Sequence, residues 1–91
     1  VANLLDDLGA EDSMIEVVFN GPSISELILG SKWAPEVAEL TTRGVVFLAC
    51  SNSMTAAKIS SADLIPGVTV VPSGISHLVR RQREGWAYVR P

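Results

Sequence analysis

The sequence predicts an α/β domain with a mainly parallel sheet, and three observations predict it. Short apolar runs rich in β-branched residues recur at 14–19, 45–50 and 68–72, the length of buried strands. Each leads at once into residues that start helices: Asn20-Gly21-Pro22, Ser51-Asn52-Ser53 and Ser73-Gly74. Gly30, Gly44 and Gly85 stand where the helical stretches stop. Strands alternating with helices require right-handed crossovers, which sandwich a parallel sheet between helical layers.

Val1, Leu4, Leu5 and Leu8 form one helical stripe ending at Gly9, and because the stripe starts at the first residue the helix is expected to begin upstream. Residues 14–19 form the first strand. Asn20-Gly21-Pro22 opens a helix with proline at its first position, burying Ile24, Leu27 and Ile28 and stopping at Gly30. Ala34-Pro35 opens another, with Val37 and Leu40 inward and Gly44 as its stop. Strand 45–50 leads into a short helix at 53–59, then a turn around Ala62-Asp63-Leu64 that Pro66-Gly67 ends. Strand 68–72 precedes a helix whose Ile75, Leu78, Val79 and Gln82 share one face, which leaves His77 off that face in an exposed or subunit-contact position. Trp86-Ala87-Tyr88-Val89-Arg90 reads as a last strand.

Ninety-one residues make one domain, 1–91, near the small end of what buries a sufficient core. At 47% hydrophobic and a mean hydropathy of +0.31, the chain carries more apolar surface than so small a globule hides, so self-association is expected. Trp33, Trp86 and Tyr88 are the aromatic anchors for it, although Trp86 fits equally well inside one subunit. No run approaches the roughly 20 apolar residues of a membrane span, and no signal peptide is visible. The net charge of −3 conceals opposed halves: residues 1–39 hold eight acidic side chains and Lys32, residues 40–91 six basic and two acidic. Overall acidity argues against a nucleic-acid binder, and Arg80, Arg81 and Arg83 read first as a solvated helix face.

Chemistry concentrates on the lone cysteine. Cys50 closes the second strand and meets the start of the next helix, where unpaired N–H groups and the dipole favour thiolate. In a parallel sheet the strand ends share one edge, so Asn20, Gly21, Ser51, Asn52, Ser53, Ser73 and Gly74 gather around that thiol as a ligand-binding rim. Each alone is an ordinary capping residue. One cysteine and one histidine supply too few ligands for a structural zinc site, so neither metal nor cofactor is expected. There is no histidine–carboxylate relay for a serine nucleophile, and neither a phosphate loop nor a GxGxxG fingerprint is present.

The segments Asn20-Gly21-Pro22, 44–53, 64–74 and Arg81-Gln82-Arg83-Glu84-Gly85-Trp86-Ala87-Tyr88-Val89-Arg90-Pro91 together resemble the DsrE/DsrF-like family of small sulfur-relay proteins, in its short single-domain branch. The resemblance implies a three-layer α/β/α domain of flavodoxin-like architecture, with a first strand missing from this chain. It also implies trimers or hexamers, and a cytoplasmic cysteine, at the position of Cys50, that accepts sulfur as a persulfide from a donor protein and passes it to an acceptor. Ser53 stands where close relatives have threonine. Three readings follow: a sulfur acceptor at Cys50, a non-catalytic oligomeric module binding a small anionic or nucleotide-like ligand at the same edge, or a scaffold whose cysteine is only packed.

Overall fold

The computed structural model describes residues 14–88. Strand β1 (Glu16–Phe19) leads into a 3-10 helix (Gly21–Leu27), helix α1 (Ala34–Thr42), strand β2 (Val46–Cys50), helix α2 (Ser51–Ala57), a second 3-10 turn (Ser61–Asp63), strand β3 (Thr69–Val71) and helix α3 (Gly74–Arg83). The three strands lie in the order β1-β2-β3, and both pairings are parallel. Strand and helix alternate as expected, while the helical stripe of residues 1–8 lies outside the described residues.

Side-chain alternation along the strands divides the sheet into two unlike faces. On one face Val17, Phe19, Phe47 and Ala49 join Ile24, Leu27, Val37, Leu40, Met54 and Leu64 in the apolar core, with the Phe19 and Phe47 rings 6.2 Å apart. Ile24 and Leu27 are fully buried, each contributing about 1.5–3 kcal/mol of transfer energy. On the other face stand Glu16, Val18, Leu48 and Cys50, in the register Glu16 to Val46 and Val18 to Leu48. Helix α3 covers this second face.

Four expectations need correction. The helix after β1 is a 3-10 helix that ends at Leu27 rather than Gly30. Ile28 is extended and bridges to Leu64, while Leu29 N–H donates to Asp63 at 2.8 Å, so pairing with the 63–65 segment replaces the last helical turn. Helix α2 starts at Ser51, directly after the strand, and ends at Ala57 where Lys58 turns left-handed. Residues 86–88 form no strand; Trp86 lies under the Arg81 guanidinium, 4.7 Å from it, and the rest of the expected strand is outside the described residues.

The fourth correction concerns α3. Its inward stripe is Gly74, His77 and Arg81, and His77 is buried. Ile75 and Val79 face outward, 63% and 48% exposed. Apolar periodicity misleads here because the sheet face beneath α3 carries a carboxylate, and a carboxylate withdrawn from water needs charged or hydrogen-bonding partners. Arg81 is correspondingly a buried-side ion-pair partner of Glu16, not part of a solvated arginine run.

Candidate functional site

Cys50 ends β2 and serves as the residue before the first turn of α2, with 6% of its surface exposed. Three chain segments converge on it from the carboxyl edge of the sheet. The Gly74 backbone passes so close that a Cβ there would lie 3.4 Å from Cys50 Cβ, 3.5 Å from Asn20 Cβ and 3.0 Å from Val18 Cγ1. A larger residue would press on Val18, although the Gly74 backbone conformation is an ordinary one. Gly21 adopts φ +60° and sends its N–H to Ser53 Oγ at 2.8 Å, tying the first turn to α2.

Burial pushes the Cys50 thiol up, but the Ser53 hydroxyl and the backbone N–H groups of Gly74, Ser53 and Asn52 outweigh it and hold the thiol below its ordinary value. These are polarising contacts rather than a tight cap: the Cys50 side chain makes no capping hydrogen bond to α2. Because Ser53 Oγ accepts from Gly21, its own hydrogen is free for the sulfur. A large polarisable anion is stabilised by several such dipoles without a neighbouring cation.

The other expected rim residues sort by role. Ser73 Oγ accepts from Ser76 N–H at 3.3 Å and caps α3. The Asn20 carbonyl accepts from Ser23 Oγ at 2.7 Å, and its side chain makes no cap. Ser51 offers its carbonyl to Thr55 Oγ1, and Asn52 is exposed with its N–H toward the thiol. Beside Ser53 a shallow cleft of about 300 Å³ is lined by Gly21, Pro22, Ser53, Ala56 and Ala57. A larger groove of about 490 Å³, lined by Val17, Phe19, Trp33, Val37 and Phe47 among others, contains no thiol. Among the described residues no group of three or more His, Cys, Asp or Glu is placed to hold a metal ion, and no helix is long and apolar enough to cross a membrane.

One cluster escaped the sequence reading. Glu16 Oε1 meets His77 Nε2 at 2.8 Å and Arg81 Nε at 2.9 Å, and Glu16 Oε2 meets Arg81 Nη2 at 3.1 Å. Arg81 Nη1 also donates to Glu84 at 2.8 Å. Burial raises the Glu16 carboxyl, but the bonds from Arg81 and His77 prevail and hold it below 4.5. The available signal was the carboxylate itself, a lone charge inside the apolar run 14–19.

The model of the DsrE/DsrF-like family matches residues 9–91. The solved structure of a protein of unknown function from Methanobacterium thermoautotrophicum superposes with a TM-score of 0.90 at 44% identity, over 99% of this chain and 82% of that one. No curated protein matches the chain.

Proposed function

The chain belongs to the DsrE/DsrF-like family, and from that premise we propose a sulfur-relay role in which Cys50 accepts one sulfur atom as a persulfide. The observation that carries the reading is the polar ring about the sulfur: one hydroxyl and three N–H groups that draw the thiol toward thiolate despite burial. The thiolate attacks the terminal sulfur of a donor persulfide. A new S–S bond forms at Cys50, the donor's S–S bond breaks, and its electron pair leaves on the donor thiolate. The proton stays on the transferred sulfur, and no net oxidant or reductant is consumed.

Incubation with a persulfide donor is expected to add the mass of one sulfur atom, which reductant removes and Cys50→Ser prevents. Unmodified protein under conditions that load a known relay cysteine overturns the reading. The low exposure of Cys50 favours one rival, a binding module for a small anion at the same edge. Thermal stabilisation by such an anion with an unreactive thiol would establish that rival instead. We also propose that the chain works as a homo-oligomer, since Ile75, Val79 and Tyr88 stay exposed.

A further inference from the structure

We propose that Glu16 is a positioning residue for Cys50: from the far end of β1 it holds α3, through His77 and Arg81, so that Gly74 stays against the sulfur. The inference rests on the reading of Cys50 as the working thiol.

Gly74, His77 and Arg81 fall at i, i+3 and i+7, one stripe along the underside of α3. Glu16 and Val18 fall on the facing side of β1, and the helix runs antiparallel to the strand: its first residue meets Val18, Asn20 and Cys50, its last turns meet Glu16. The helix therefore touches the sheet at two points about 10 Å apart. At one the contact is backbone on side chain, where an added methyl group would sit 3.0 Å from Val18 Cγ1. At the other it is three hydrogen bonds to a single carboxylate.

Apolar contact between them is limited: Leu48 is buried on the face that α3 covers and Leu78 of the helix is half-buried. Ile75 and Val79 point away from the sheet, and no α3 residue belongs to the apolar core cluster. Among the described residues the groups facing Glu16 are His77 and Arg81 from α3, with Glu84 sharing the guanidinium and Trp86 stacked on it; on β2 its register partner is the uncharged Val46. Release of that end frees α3 to rise or slide, which withdraws the Gly74 N–H from the sulfur.

The experiment is the pH dependence of Cys50 alkylation by iodoacetamide, a neutral reagent, in the full chain and in Glu16→Gln and Arg81→Lys. Loss of a carboxylate charge acts through space to lower a thiol's pKa, and Arg81→Lys leaves the charge unchanged. A displaced helix does the opposite. The expected result is a midpoint that moves up in both variants, with alkylation roughly three- to tenfold slower at a pH below the midpoint. A midpoint unmoved or lowered in folded variants overturns the proposal, and a lowered melting temperature without a midpoint change does so equally, since it leaves Glu16 a merely structural residue. If Glu16→Gln does not fold, Arg81→Lys decides alone. Sulfur loading separates the two readings: variants that shift the midpoint in a protein that never loads sulfur uphold the positioning role and remove the relay, while loading with an unmoved midpoint does the reverse.

Discussion

Glu16 Oε1 and His77 Nε2 lie 2.8 Å apart across 61 residues of sequence, and this pair decides which side of α3 faces the sheet. The Glu16 side chain is only 12% exposed. A carboxylate so placed must be partnered, and the helix satisfies it by turning histidine and arginine inward and isoleucine and valine outward.

Acid should reveal that partnership. The Glu16 carboxyl is held below 4.5 in the folded state, so its contribution to stability is fully present above that value and is lost as pH falls through the lower folded value. Denaturant midpoints of the wild type and Glu16→Gln, measured from neutrality into acid, are expected to converge as the pH drops. Parallel curves would show that the carboxylate gains nothing from Arg81 and His77.

Ser53 tests the environment of the thiol. Ser53→Ala removes a donor from the sulfur and leaves the exposed Gly21 N–H to water, so the Cys50 alkylation midpoint should rise and the protein should lose about 0.5–1.5 kcal/mol. Ser53→Thr keeps the hydroxyl and should keep the midpoint. Equal behaviour of the two variants would contradict the assigned role of the hydroxyl.

Gly74 tests close approach. An alanine Cβ would sit 3.0 Å from Val18 Cγ1, so Gly74→Ala should cost about 1–3 kcal/mol by overpacking. The partner change Val18→Ala makes room, and the double variant is expected to be more stable than the sum of the singles predicts. Strict additivity in urea melts would mean that the two residues do not touch.

The division between core and surface can be measured on three isoleucine and leucine positions. Leu27→Ala and Ile24→Ala should each cost about 2–5 kcal/mol, because both side chains are fully buried. Ile75→Ala should cost under about 0.5 kcal/mol at concentrations where the chain is monomeric. A large loss at Ile75 there would restore the inward orientation that periodicity suggested.

Self-association has its own readout. If the outward residues of α3 form a subunit contact, light scattering at micromolar protein should give a mass above one chain, and Ile75→Lys with Val79→Lys should lower it. A monomer in the wild type would remove the homo-oligomer proposal.

Much of the architecture was legible in local sequence. The runs at 45–50 and 68–72 are strands in the structure, shortened at their ends, and Val37 and Leu40 point inward as their spacing requires. Turn chemistry placed Gly21, Ser53 and Gly74 at one edge, because parallel strands followed by helices leave no other place for them. The end of the first 3-10 helix was not legible: Ile28 leaves the helix for a bridge to Leu64, a partner 36 positions away that no local pattern announces.

By itself, then, the sequence determined the α/β class, the strand-to-helix switch at Cys50 and the residues that border it, since these follow from period, glycine placement and caps, all of which act within a few residues. Only the tertiary structure decided the orientation of α3, the burial of His77 and the union of Glu16 with Arg81. A helix turns toward whatever its neighbour needs, and here one carboxylate on the opposing strand outweighed the apolar stripe, because an unpaired buried charge costs more than a few aliphatic side chains left in water.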